Sequence, residues 1–302
     1  LRFGTDVKIA VTGHLGTIGQ PLVRALREQG HEVVGIDIRH HVDGVRADVA
    51  DYRQLARALP LDVDLVYHLA AEFGRHNGED FYEQVWRSNA IGTKNVLRIQ
   101  KERGFKLIFA SSSEVYGERY DPVLHEALPL SPLMLTNDYA ISKLVNEAQI
   151  TNARKQWGAQ AMVLRFCNVY GPGEFYSTYR SVVCLFIYRA LHGMPYDVYD
   201  GRRVFQYIDD MIATLSRAAT HFIDGETINL AGNEYRSIAE LSDEISKHIP
   251  TQPVMHSLEP FNVTNKLPSI EKAQRLLGHD PKTTLADGIG KTVEWMRSVY
   301  RV

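Results

Sequence analysis

Tyr139 and Lys143 stand four residues apart in Tyr139-Ala-Ile-Ser-Lys143, a spacing that puts both side chains on one face of a helix. An ammonium so placed stabilises a phenolate and is expected to draw the tyrosine pKa from about 10 toward neutrality. A tyrosine primed this way takes the proton of a sugar hydroxyl while hydride leaves the same carbon for a nicotinamide. Upstream, Ser111-Ser-Ser-Glu-Val-Tyr-Gly117 offers a serine hydroxyl to hold the substrate oxygen. The tyrosine-lysine spacing recurs by chance; its weight here comes from following a Ser-rich strand end.

Thr12-Gly-His-Leu-Gly-Thr-Ile-Gly19 sets Gly13, Gly16 and Gly19 after an apolar run and before a helical one. In that context a glycine turn, completed by Thr17 and Ile18, brings backbone amides to a dinucleotide pyrophosphate, and the helix dipole favours the negative phosphate. A turn of purely structural use is the alternative. Asp37, eighteen residues after Gly19, can accept hydrogen bonds from the adenosine ribose, which favours NAD over NADP because the carboxylate repels a 2′-phosphate. Arg39 would compensate if Asp37 pointed away, and a loop-capping aspartate is the plainer alternative.

The elements that must position these residues are short runs rich in Val, Ile and Leu at Val7–Val11, His31–Ile36, Val63–Leu69, Lys106–Ala110 and Ala161–Leu164, the pattern of buried parallel strands. Helical periodicity over Pro21–Gln29, Asp80–Arg103 and Asp138–Trp157 alternates with them, giving a Rossmann-like doubly wound α/β sheet. After Asn168 the alternation weakens, Gly171-Pro-Gly173 interrupts the chain, and aromatic and turn residues cluster through Tyr199. Thr227–Leu230 reads as a strand returning to the sheet, and Ser237–His248 and Leu285–Tyr300 as later helices, so the smaller C-terminal substrate domain is expected to be discontinuous.

The composition excludes other classes. A net charge of −2 with scattered basic residues argues against nucleic acid and anionic membranes. Two cysteines, Cys167 and Cys184, and twelve dispersed histidines show no metal-ligand spacing. No apolar run approaches the roughly 20 residues of a bilayer span, and no secretory signal is recognisable, so a cytoplasmic location is expected.

Taken together the chain resembles an extended short-chain dehydrogenase/reductase of the nucleotide-sugar epimerase/dehydratase family. The glycine spacing, Tyr139/Lys143, His68-Leu-Ala-Ala71, Asn89-Ala-Ile-Gly-Thr93 and Arg165-Phe-Cys-Asn-Val-Tyr-Gly-Pro172 carry the resemblance. It implies NAD as cofactor, a nucleoside diphosphate sugar as substrate, and a homodimer built through the helices at Asp80–Arg103 and Asp138–Trp157. It divides the chain into a Rossmann domain of residues 1–170 and 201–235 and a nucleotide-sugar domain of 171–200 and 236–302. It further implies that Asp48 and Val49 receive the adenine, that Leu69, Ala70 and Ala71 line the cofactor, and that Asn89 braces strands and cofactor. Ser111 would lie beside the nicotinamide, and Ser112 would be the catalytic serine at the sugar's C4 oxygen. Ser113 and Glu114 take positions where dehydratases present Asp and Glu, and Asn168 would meet substrate near its phosphates.

Arg203-Val-Phe-Gln-Tyr-Ile208 resembles the segment whose arginine meets the diphosphate, a task suited to a guanidinium; an ordinary surface cation is the alternative. Lys266-Leu-Pro-Ser-Ile270 departs from the family's R-x-P-D-I at two positions. Arg75 is a candidate reader of an acidic substituent on the sugar, or else a solvent-facing loop residue. Tyr176, Tyr179 and Arg180 either close over the nucleotide or pack internally.

Three outcomes follow oxidation at C4. A 4-epimerase needs little beyond Ser112, Tyr139 and Lys143 and ranks first from the sequence. A uronate decarboxylase often carries Thr-Ser-Glu where this chain has Ser112-Ser-Glu114 and shares Phe205-Gln-Tyr207, but uses an arginine where Lys266 stands. A 4,6-dehydratase could use Glu114 as the C5 base, with Ser113 a poor acid. A dinucleotide-binding regulator without turnover is the reading from another class, disfavoured because tyrosine, lysine and serine are all present.

Overall fold

The computed structural model describes residues 7–119, 121–257 and 265–302. Strand and helix alternate through its first half as β1 (Lys8–Thr12), α1 (Gly19–Glu28), β2 (Glu32–Asp37), β3 (Gly44–Arg46), α2 (Tyr52–Ala58), β4 (Leu65–His68), α3 (Arg75–Asp80), α4 (Tyr82–Val85), α5 (Gly92–Arg103), β5 (Lys106–Ser112), α6 (Asp138–Trp157) and β6 (Ala161–Phe166). The second half holds β7 (Val169–Tyr170), α7 (Val182–Leu191), β8 (Tyr196–Tyr199), β9 (Arg202–Val204), β10 (Gln206–Tyr207), α8 (Ile208–Ala218), β11 (Thr227–Leu230), β12 (Tyr235–Ser237), α9 (Ile238–Ser246), β13 (Pro253–His256), β14 (Asn265–Lys266), α10 (Glu271–Leu277) and α11 (Leu285–Tyr300).

Seven strands form one sheet in the order β11-β6-β5-β4-β1-β2-β3. β1 runs parallel to β2 and β4, β2 to β3, and β4 to β5. The apolar runs form these strands because helices cover both faces: every residue of β4, and all of β5 after Lys106, is buried. The order reverses between β4 and β1, and ligands of doubly wound sheets bind outside the strand ends at such a reversal. Thr12-Gly13 and His68-Leu69 close those two strands. Among the described residues no helix is long and apolar enough to cross a membrane.

β5 extends two residues beyond the expected Ala110 and so carries Ser111 and Ser112 on its end. α6 begins where the Asn137 side chain accepts the Ala140 amide and stops at Gly158, which takes φ 71°. The single helix expected over Asp80–Arg103 is a correction. Phe81 leaves helical space at φ −133°, ψ 47°, and between α4 and α5 the chain makes a π-helical turn over Trp86–Ile91. Turns of that kind are rare and gather at functional sites.

Two compact units are distinguished: residues 1–115, 137–165 and 215–228 form the first, and 116–136, 166–214 and 229–302 the second. The expected division put 116–136, 166–170, 201–214 and 229–235 with the Rossmann domain. Residues 116–136 belong with the second unit because Leu124 exchanges backbone hydrogen bonds with Leu267 and Ser269, and Tyr116 donates to Asn229 Oδ1 at 2.8 Å. Within the second unit, β9 lies between β12 and β14 and covers a small core of Cys167, Val204 and Ala231.

Candidate active site

In the first unit the loop after β1 is built on glycine. Gly13 takes φ 73°, and a Cβ there would fall 2.7 Å from the Ala70 amide nitrogen, so only glycine lets this loop close on the Leu69-Ala70-Ala71 strand end. The Gly13 amide donates to Ile36 O at 2.7 Å and that of Gly16 to Gly13 O at 3.0 Å. Gly19 lies so close under the Gly13 carbonyl that a Cβ would overlap it. α1 then opens on Ile18, with Thr17 before it, and the Ile18 side chain makes no cap hydrogen bond. Asp37, 7% exposed, accepts the Leu15 amide on Oδ2 at 3.0 Å and the Arg39 amide on Oδ1 at 3.0 Å. A glycine loop opening a helix N-terminus beside a buried acceptor carboxylate fits a dinucleotide, whose pyrophosphate takes the first and whose ribose hydroxyls the second.

Asp48 pairs with Arg87 at 2.8 Å, and Asn95 of α5 donates to the Val49 carbonyl at 3.0 Å. Asn89, 1% exposed, sits on the π-helical turn. Its Oδ1 accepts the Glu72 amide, and its Nδ2 donates to Glu72 O and Ser142 Oγ, each at 2.9 Å. Ser142 in turn donates to Tyr139 O at 2.7 Å, so one amide fastens the loop after β4 to the first turn of α6. Arg75 opens α3, and its guanidinium meets His76 Nε2 at 3.0 Å. That helix is held close to α6, since a Cβ on Gly78 would stand 3.0 Å from the Tyr139 nitrogen.

Tyr139 and Lys143 share α6, with the Lys143 ammonium 5.9 Å from the Tyr139 ring centre. Ser112, at the end of β5, hydrogen-bonds Tyr139 and favours its phenolate, but burial outweighs this and the nearby Glu114 charge adds to it, pushing the phenol up to about 12. Glu114 follows on a 3₁₀ turn, its amide donating to Ser112 Oγ at 3.2 Å; Ser113 between them is buried. The expected drop in the Tyr139 pKa is thus not what this structure shows. Lys143 donates to the Ala110 carbonyl at 2.7 Å, and burial brings its own pKa down to about 7 against the charge of Glu147. A lysine held between neutral and charged forms is a weaker phenolate partner than a full cation.

One position beside this helix, Glu147, was not singled out from sequence, and Arg165 and His68 entered there only as parts of motifs. Ser111 donates to Glu147 at 2.6 Å, and Arg165 clasps the same carboxylate at 3.0 and 2.8 Å. The signal was available, since Glu147 lies one helical turn beyond Lys143. His68 hydrogen-bonds Thr12 at 2.8 Å and Thr93 at 3.2 Å, and burial, aided by the Lys143 charge, lowers its pKa to about 3.

The second unit gathers a different set. Asn168 takes φ 39°, a left-handed backbone that asparagine tolerates, and donates to Val204 O at 3.0 Å. Next to Val204 is Arg203, 8% exposed, and in strand register with Arg203 is Lys266, 4% exposed. Two buried cations side by side suit a phosphate chain. Arg180 stands just ahead of α7, where its charge helps hold down the pKa of Glu174, which burial raises.

Comparison with known proteins agrees with this geometry. A model of the NAD dependent epimerase/dehydratase family matches residues 9–231. The chain is 27% identical to the UDP-N-acetyl-alpha-D-glucosaminuronate decarboxylase of Bacillus cytotoxicus, over 96% of this chain and 97% of that protein. It is 30% identical to a putative UDP-glucose 4-epimerase of Methanocaldococcus jannaschii, covering 97% and 99%. Among solved structures, the UDP-glucuronic acid 4-epimerase of Bacillus cereus in complex with UDP-glucuronic acid and NAD superposes with a TM-score of 0.85, at 27% identity over 97% of this chain and 100% of that one. The glycine loop, the strand order and the Tyr139/Lys143 helix are therefore those of a member of the NAD dependent epimerase/dehydratase family, to which this chain belongs and whose cofactor, NAD, it shares.

Proposed function

We propose that this chain acts on a UDP-linked uronate, oxidising C4 transiently and releasing the C5 carboxyl as carbon dioxide. Bound NAD would supply the acceptor for the C4 hydride and its return. Tyr139 takes the C4 hydroxyl proton while Ser112 holds that oxygen, and the resulting 4-ketone draws the electrons of the C5–C6 bond as carbon dioxide leaves. Glu114 delivers a proton to C5, and Tyr139 returns one to O4. Arg203 and Lys266 hold the diphosphate, and Arg75 holds the uronate carboxylate before it departs.

The observation that carries this reading is Glu114. Epimerisation at C4 has no need of a carboxylate there, and its charge disfavours the Tyr139 phenolate; decarboxylation needs an acid at C5. This reverses the order reached from sequence, where Lys266 in place of arginine weighed against a decarboxylase. Lys266 is buried and in register with Arg203, so a cation remains at that point. The 4-epimerase reading is favoured by the Methanocaldococcus jannaschii relative, a putative UDP-glucose 4-epimerase 30% identical to this chain. Incubation with UDP-glucuronate, its N-acetylglucosamine counterpart and UDP-glucose, read by mass and NMR, separates the two. Loss of carbon dioxide supports decarboxylation, and unchanged mass with inverted C4 overturns it in favour of epimerisation.

A further inference from the structure

The second residue of the glycine loop, His14, has no role in the account above. It is 5% exposed, and its ring lies on two strands at once. A Cβ on Gly35 of β2 would overlap one edge of the imidazole, and a Cβ on Gly44 of β3 the other. Gly35 and Gly44 are themselves paired in register, so the two glycines form one socket that the histidine fills. Both ring nitrogens are buried, and burial lowers the pKa of the ring against the opposing effect of the Ile36 backbone. The socket therefore holds the ring by its shape and span.

That span reaches the cofactor grip. Asp37 lies two residues after Gly35 and therefore on the same sheet face. The amide adjoining His14, that of Leu15, donates to Asp37 Oδ2, and Oδ1 holds the Arg39 amide and guanidinium at 3.0 and 3.3 Å. Loop, socket and carboxylate form one stack with His14 in the middle.

We propose that His14 is a positioning residue for the adenosine half of the cofactor: seated in the Gly35–Gly44 socket, it fixes the glycine loop over β2 so that Asp37 is oriented toward the ribose and keeps Arg39 from a 2′-phosphate, setting the preference for NAD over NADP. The inference rests on the reading of the glycine loop and Asp37 as the cofactor grip.

Calorimetric titration of the purified full chain with NAD and, separately, NADP tests it, using His14→Ala, Gly35→Ala and the double variant, with melting temperature as a check on folding. His14→Ala should weaken NAD binding about tenfold, and Gly35→Ala, which drives a methyl into the ring, should do the same. Both should narrow the NAD-to-NADP ratio by a similar factor. In the double variant the methyl occupies vacated space, and most of the wild-type ratio should return; this variant carries the test if either single variant fails to fold. Tight NAD binding with an unchanged ratio in the folded variants overturns the inference alone, as does a double variant whose losses simply add. A wild-type chain that takes up neither dinucleotide overturns the cofactor assignment and the inference with it.

Discussion

At Tyr139 burial and the Glu114 charge oppose the bond from Ser112, and the phenol is held protonated. Tyr139→Phe should therefore remove proton transfer without disturbing the fold, lowering turnover by about 10²–10⁴-fold while NAD still binds. A regulator without turnover would show no activity in either form. Glu114→Gln should uncouple the steps, so that the C4 ketone forms but C5 is not reprotonated; NADH absorbance would then accumulate without matching product, and normal decarboxylation by this variant would refute the role given to Glu114. Lys143 predicts a pH effect. Its native pKa near 7 lies below the roughly 10.4 of an unfolded lysine. Between those values the unfolded chain binds a proton that the native chain lacks, so stability rises with pH across that window. The melting temperature of the wild type relative to Lys143→Met should climb from pH 7 to about 10; a flat difference would sink the assignment.

Among the elements, β1, β2, β4, β5, β6, β11 and α6 were legible because apolar runs and helical periodicity are local and α6 is closed by its own cap residues. The π-helical turn was not, since the residues that shape it, Asn89 with Glu72 and Ser142, meet only in three dimensions. The three-residue β3 was equally hidden, being largely exposed and lacking an apolar run. Asn89→Ala would strand buried partners on two elements and should lower stability by about 1–3 kcal/mol, measured by denaturant unfolding. Arg165→Met would leave Glu147, whose side chain is 11% exposed, without its cation, at a cost of up to about 3–5 kcal/mol; a loss below 1 kcal/mol would mean that water already relieves this carboxylate. The tyrosine, lysine and serine proposed for catalysis were named from spacing and order, whereas the Ser111-Glu147-Arg165 clasp joins positions far apart in sequence.

For the whole molecule, Phe81, Tyr82 and Ile91 are 44%, 54% and 52% exposed on the segment from the end of α3 to the start of α5, and exposed apolar side chains of this kind suit a second copy of the chain. Sedimentation at micromolar concentration should show twice the 34.2 kDa chain mass, and a monomer would rule this out. The unit boundaries were only partly readable, because the strand pairing that draws 116–136 toward residues near 268 leaves no mark on either stretch alone. The position of β11 also bears on synthesis. It supplies the sheet's outermost strand beside β6, where the Val163 amide meets Glu226 O and the Cys167 amide meets Leu230 O. A nascent chain leaving the ribosome completes β6 well before those residues emerge, and in that interval β6 offers a bare, apolar edge to any neighbour. Polypeptides ending before Thr227 should therefore aggregate where the finished protein does not, and chaperone dependence should be concentrated in that stage of translation.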